Sequence, residues 1–120
     1  MKLIRKSQLP SPCPRPDRAE RNVSIGLVQS RWHEDSERHR EALSEGVAAA
    51  ANAGAAIVFL PELTLSGYPA DTLPQGPADS TAEVLQDGPT HQFAAQLARD
   101  NDVMVHCSIF ERSNATDHRG

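Results

Sequence analysis

The sequence predicts an α/β fold with a small parallel or mixed sheet, built in the order strand–helix–strand–loop–helix–strand. Three apolar runs rich in strand-forming residues support this prediction, at residues 23–29, 55–60 and 103–110. Two stretches in which apolar residues recur at helical spacing separate them. The first of these stretches is long enough for a crossover connection, which favours parallel pairing of the first two strands.

The first run alternates between two faces of a strand. Val23, Ile25 and Leu27 share one face, whereas the small residues Ser24 and Gly26 lie on the other. Small side chains on one face allow a neighbouring element to approach closely. We therefore expect a neighbouring element to pack closely against the Ser24 and Gly26 side.

A helix is predicted between the first two strands. Asp35 or Ser36 can cap its start, the periodic pattern continues to about Ala53, and Gly54 suits the position after the helix. His39 lies on the edge of the apolar stripe of this helix. It is interpreted as a partly buried structural histidine rather than a ligand.

The second strand leads into the stretch around which the chain is organised. Pro61 cannot donate to a sheet ladder, so pairing should end there. Glu62 follows at the carboxyl end of a buried strand, where ligands and chemistry are found in open α/β sheets. We expect the end of the strand to shield this carboxylate. Tyr68 lies on the turn Ser-Gly-Tyr-Pro that comes next.

Prolines and glycines interrupt residues 70–88, which predicts a loop with one short helical turn at residues 81–86. Pro89 is placed to begin a second helix that runs to about Asn101. In the third strand Cys107 shares a face with Val103 and Val105, so we interpret it as a core residue with an inert thiol. The adjacent His106 points to the opposite face, which argues against a Cys–His dyad.

Composition limits the function classes. The chain has 120 residues, 38% of them apolar, and a net charge of −4 without a basic stripe, which argues against a nucleic-acid partner. No apolar run is long enough to span a membrane. Two cysteines without a secretion signal suggest a reducing cytoplasm. The five histidines lack ligand spacing, so neither a metal nor another cofactor is expected. Residues 1–21, which include Cys13, are predicted to form a disordered proline-rich tail.

The chain from about residue 22 onward resembles the opening part of the nitrilase superfamily, the carbon–nitrogen hydrolases. The resemblance is carried by V-S-I-G-L-V-Q, by a helix ending A-N-A-G-A, by I-V-F-L-P-E-L-T-L-S-G-Y-P and by V-M-V-H-C-S-I-F-E-R. It implies the N-terminal portion of a nitrilase-like α-β-β-α sandwich. A partial domain of this kind, here residues 22–120, would leave an apolar sheet face and an open edge, so we expect the isolated chain to associate.

The resemblance also implies a Glu-Lys-Cys triad that hydrolyses small-molecule amides, carbamoyl compounds or nitriles through a thioester. Of the triad only the glutamate has a counterpart, Glu62, which would act as the general base. Tyr68 would form part of the substrate pocket wall. The only lysines are Lys2 and Lys6, in the proline-rich tail, and Cys107 does not match the nucleophile. This chain alone is therefore expected to be inactive, and the full-length form is expected to be a homo-oligomer.

Three functional alternatives remain open. The amidase or N-carbamoylputrescine amidase branch is the first. The stretch Gly67 to Asp71 is also similar to the glutaminase domain of glutamine-dependent NAD synthetases. A non-catalytic nitrilase-like binding or assembly module is the third. A generic α/β nucleotide binder is disfavoured, because no G-x-G-x-x-G follows the first strand.

Overall fold

The predicted α/β fold is confirmed by the computed structural model, which describes residues 2–6, 23–68 and 81–112. Three parallel strands lie in the order β1-β2-β3, with β2 in the centre. Two helices connect the strands along the chain. The elements are β1 (Ile25–Leu27), α1 (Ser36–Asn52), β2 (Ile57–Phe59), α2 (Pro89–Asn101) and β3 (Met104–His106).

Helix α1 begins and ends where the local residue chemistry predicts. The Asp35 side chain caps it by accepting a hydrogen bond from the Arg38 backbone N–H at 2.7 Å. At the other end Ala53 is the C-cap, and Gly54 adopts a left-handed backbone with φ 90°. Glycine takes this conformation without the steric cost that a Cβ would bring.

Helix α1 packs directly against β1, because Gly26 has no side chain. A Cβ on Gly26 would lie only 2.7 Å from the Cβ of Ala50 and 3.3 Å from that of Ala55. Val58 on the central strand is fully buried, as are Leu43 and Val47 of the helix. The core therefore lies between the sheet and its helices, as the small residues of the first strand predict.

Helix α2 covers the β3 side of the sheet. Pro89 occupies its first turn as predicted, and the helix ends before Asp102, which adopts a left-handed backbone with φ 51°. Leu97 and Ala94 lie on the buried side of this helix, and Phe93 packs against the edge of the core. The guanidinium of Arg40 lies 5.1 Å from the centre of the Phe93 ring and connects the two helices.

The strands are much shorter than the apolar runs that predict them. Each strand has three residues, although ladder-like hydrogen bonds continue on both sides. Ala56 N–H donates to Ser24 O at 2.8 Å, and Val28 N–H donates to Phe59 O at 2.9 Å. The apolar runs are therefore longer than the regular strands within them. The length of a strand depends on the residues that pair with it, and a single apolar run does not reveal those partners.

The sheet face opposite the helices is open and apolar. Leu27 is 79% exposed, and Ile25 and Met104 are also largely exposed. In register with them lie Ile57 and Phe59, which are half-buried. We call these five residues the open face.

The short helical turn predicted at residues 81–86 forms slightly later in the chain, where Gly88 N–H donates to Val84 O at 2.8 Å. At its predicted start Glu83 instead forms an isolated parallel bridge with Glu111, in which Glu83 N–H donates to Phe110 O and Arg112 N–H donates to Glu83 O, both at 2.8 Å. Tertiary pairing has displaced the turn toward helix α2. This bridge ties the segment before α2 to the chain that leaves β3.

Several sequence predictions fall outside the described residues. Cys13, most of the predicted tail at residues 1–21 and the loop at residues 69–80 belong to this group. The division at residue 22 into a tail and a partial domain therefore stays a prediction. Within the described ranges, no helix is long and apolar enough to cross a membrane.

Candidate active site

The candidate site is the corner that follows β2, which we define as Pro61–Tyr68. The last backbone bond of the ladder is made by Leu60, whose N–H donates to His106 O at 2.9 Å. Pro61 ends the pairing as predicted, and residues 62–65 form a turn. Glu62 is the first residue of that turn and therefore lies at the carboxyl end of the parallel sheet.

Thr64 fixes the corner to the chain beyond β3. Its backbone N–H donates to Ser108 O at 3.0 Å, and its hydroxyl accepts from Ser108 N–H at 3.1 Å. The same hydroxyl donates to Pro61 O at 3.0 Å. Thr64 is almost completely buried, so these bonds are shielded from competing water.

A second contact joins the corner to helix α1. The Nε2 atom of His39 lies 2.9 Å from Thr64 O, and the His39 side chain is only 4% exposed. The indole ring of Trp32 covers the imidazole, with 4.4 Å between ring centres. His39 is thus the structural histidine that its place on the helix predicts, and it is more deeply buried than expected.

The backbone between Glu62 and Thr64 is strained. Leu63 adopts a left-handed conformation with φ 49°, which brings the Cβ of an L-residue close to the backbone and costs about 1 kcal/mol or more. Ser66 N–H then closes the turn by donating to Leu63 O at 2.9 Å. The surrounding hydrogen bonds must hold this conformation in place.

The expectation that the strand end shields Glu62 is wrong, because its side chain is exposed. Pairing stops at Pro61, and the chain leaves the sheet before the carboxylate is covered. Within the described residues, no hydrogen bond occupies this carboxylate. Tyr68 is also exposed, at the last described position of the corner. The roles expected of both residues stay predictions.

A latch holds the segment before α2 on the other side of the corner. The Glu83 carboxylate accepts one hydrogen bond from Thr90 N–H at 2.8 Å and another from the Thr90 hydroxyl at 2.7 Å. A carboxylate at a helix N-terminus is favoured by both the free N–H groups and the helix dipole. We use the name latch for this Glu83–Thr90 pair together with the Glu83–Glu111 bridge.

A cleft of about 630 Å³ lies between the corner and the latch. Glu62 and Tyr68 do not line it, although their neighbours Ser66 and Gly67 do. On the latch side Arg112 donates from its guanidinium to Ala82 O at 3.0 Å. Other lining residues are Trp32, Glu83 and Val84.

Cys107 packs against the core from β3, as predicted. Burial raises the pKa of its thiol, and the nearby negative charge of Glu83 raises it further. His106 is exposed on the other face, where its ring lies 4.9 Å from that of Phe59. A raised pKa favours the protonated thiol, which is a poor nucleophile.

We call the two hydrogen bonds between Thr64 and Ser108 the Thr64 clamp. Neither this clamp nor the Glu83 latch was identified from the sequence. A threonine two residues after the candidate base is a weak signal, and Glu83 lies seven residues before its partner Thr90. Asp and Glu near a helix start are recognisable capping candidates, but usually within the first turn. No group of three potential metal-ligating side chains occurs among residues 2–6, 23–68 and 81–112.

Comparison with known proteins identifies the family. The family profile described as carbon–nitrogen hydrolase matches residues 24–119, which covers all three strands, both helices and the corner. None of the curated protein sequences compared with the chain matches it. The profile covers far more than half of the 120 residues, in agreement with the resemblance of the P-E-L-T-L-S-G-Y stretch. The chain belongs to the carbon–nitrogen hydrolase family.

Proposed function

We propose that Glu62 is the general base of a hydrolase that acts on carbon–nitrogen bonds of small amides, carbamoyl compounds or nitriles. The observation that supports this role is its position. Glu62 is the first residue of the turn that follows the central parallel strand, and this turn is held by Thr64 and His39. The family match adds the reaction class.

The other acids near the carboxyl end of the sheet are less suitable. Glu83 uses both carboxylate oxygens to bind Thr90. Glu111 pairs through its backbone with Glu83 and lies at the outer side of the described structure. Glu62 combines an unoccupied carboxylate, within the described residues, with a rigid attachment. A general base needs both properties, since it must accept a proton at a defined position.

In the proposed reaction Glu62 takes the proton from a cysteine thiol, and the thiolate attacks the substrate carbon. From an amide or carbamoyl group, a thioester-type intermediate and ammonia form, with Glu62 returning the proton to the leaving nitrogen. A nitrile first forms a thioimidate, which takes up one water before it loses ammonia. Water then attacks the thioester and releases the acid. The lysine and the nucleophilic cysteine have no counterpart in residues 24–119, which contain no lysine and only one cysteine, the half-buried Cys107. We therefore propose that activity requires polypeptide that carries both, and that also covers the exposed Glu62.

The role of Glu62 can be tested in a chimera. The 120-residue chain is joined to the downstream segment of a carbon–nitrogen hydrolase that carries the lysine and cysteine, and ammonia release is measured. Glu62→Gln should reduce turnover by about a hundredfold or more, the scale of general-base loss. Glu111→Gln is the matched control, because it removes a similarly exposed carboxylate from the same edge of the sheet. Turnover that is lost in Glu111→Gln and retained in Glu62→Gln would reject the assignment.

The unmodified 120-residue chain should release no ammonia above the buffer level from amide or carbamoyl substrates. The reason is that triad members act as a unit, so a base without its nucleophile contributes little. Release that Glu62→Gln abolishes would contradict this expectation.

The finer assignments are also proposals. The amidase or carbamoyl-amide branch, a cytoplasmic location, a homo-oligomeric full-length form and a pocket role for Tyr68 belong to this group. The glutaminase alternative rests on Gly67 to Asp71, of which the last three residues lie outside the described structure. The non-catalytic module remains the alternative that a completely inactive chimera would favour.

A further inference from the structure

The hydrogen bond of His39 fixes the position of a proton on its imidazole ring. A backbone carbonyl can only accept a hydrogen bond, so the contact from Nε2 to Thr64 O at 2.9 Å requires a proton on Nε2. The Nδ1 atom is buried and has no hydrogen-bond partner in the described structure. The geometry therefore places a proton on Nε2.

This ring acts on the turn that carries Glu62. Thr64 comes two residues after Glu62, and its three polar groups make four hydrogen bonds to three other residues. The N–H and the hydroxyl bind Ser108, the hydroxyl also binds Pro61 O, and the carbonyl accepts from His39. The His39 contact is the attachment in this set that reaches helix α1.

The strain at Leu63 explains why this attachment is needed. A left-handed non-glycine residue persists only where its surroundings hold it. Without His39 the Thr64 carbonyl would be a buried acceptor without a partner, and the turn could relax by rotating that peptide. Such a rotation would disturb the turn at Thr64, two residues beyond Glu62.

We infer that His39 is a positioning residue, which holds the Glu62 turn in its strained conformation through a hydrogen bond from Nε2–H to the Thr64 carbonyl. This inference rests on the proposed role of Glu62 as the base. His39 does not reach the reacting atoms in this arrangement. It acts through Thr64, and Trp32 closes the other side of the ring at 4.4 Å.

Two substitutions separate the N–H donor from the volume of the ring. His39→Leu fills the site with an apolar side chain and removes the donor. His39→Gln places an amide N–H at nearly the same distance from the Cβ as Nε2 and retains the donor. The measurement is residue-resolved amide hydrogen exchange by NMR on the full 120-residue chain.

In His39→Leu the amides of Thr64 and Ser66, which bind Ser108 O and Leu63 O, should exchange about tenfold faster. In His39→Gln they should return to nearly the wild-type rate. The amides of Leu60 and Met104, which bind across the sheet, should change little in either variant. Unchanged Thr64 and Ser66 exchange in His39→Leu, or a lack of rescue by glutamine, would overturn the inference.

A second measurement uses the unmodified chain, so its result does not depend on whether a variant folds. The ¹⁵N chemical shifts of the His39 ring should show a protonated Nε2. An unprotonated Nε2 would overturn the inference. The test is independent of the proposed function: if Glu62→Gln has no effect in the chimera while the exchange result holds, the base assignment fails and the His39 attachment stands. If instead Glu62→Gln abolishes turnover in the chimera and the exchange result fails, only the inference about His39 is rejected.

Discussion

Replacing Thr64 with valine should destabilise the protein strongly, although the two side chains have nearly the same size. Valine has nearly the same shape, but it lacks the hydroxyl that donates to Pro61 O and accepts from Ser108 N–H. Each lost bond contributes about 1 to 1.5 kcal/mol when its partner stays buried, so the free energy of unfolding should fall by about 2 to 3 kcal/mol. Thr64→Ser keeps the hydroxyl and loses one methyl group, which costs about 1 kcal/mol.

Equilibrium unfolding in urea measures this difference. Trp32 is the single tryptophan, and it packs on His39 beside the corner, so its fluorescence reports directly on this region. With a typical urea dependence for a small protein, the midpoint of Thr64→Val should drop by about 1 to 2 M. Titrations at two protein concentrations separate unfolding from association. A valine variant as stable as the serine variant would refute the reasoning that the hydroxyl holds the corner.

Three further changes have defined outcomes. Gly26→Val should lower the free energy of unfolding by about 1 to 3 kcal/mol, because its side chain would collide with Ala50, and an unchanged urea midpoint would contradict the close approach of helix and strand. Burial raises the pKa of Cys107, so near pH 8.5 the native chain should be alkylated there more slowly than the urea-unfolded chain, as followed by peptide mass spectrometry. The unfolded state loses the thiol proton first, so stability should also decline as the pH rises through that range, and equal alkylation rates would argue against burial. Leu27→Lys on the open face should shift size-exclusion elution towards the monomer, whereas Glu41→Lys on an exposed helix position should not, and a sharp monomer peak for the unmodified chain would disprove association through this face.

Features governed by neighbouring residues were predictable from the sequence. Asp35 as a cap, Gly54 after the helix, Pro89 in a first turn and Pro61 at the end of pairing each follow from the chemistry of one or two residues. The face of β1 on which Gly26 lies close to helix α1 also follows from strand alternation. Local backbone preferences and the core arrangement agree at these positions, so tertiary packing changed little.

Features that depend on distant partners were not predictable in this way. Thr64 binds Ser108 across 44 residues, and Glu83 bridges to Glu111 where a local turn was expected. The sequence near Glu83 does not indicate that this residue pairs with a segment that follows β3. The exposure of Glu62 is similar, because the shielding of a side chain depends on what covers it rather than on the strand that precedes it.

The Thr64 clamp and the Glu83 latch have a consequence for how such a protein can diversify. Together they anchor the two ends of the stretch that separates the corner from helix α2. Between fixed ends, doubling the length of a connecting segment costs only about 0.6 kcal/mol in closure entropy. Insertions, deletions and new side chains can therefore accumulate in that stretch while the backbone that carries Glu62 stays in place. Sequence variation beside the cleft is thereby separated from the turn on which Glu62 lies.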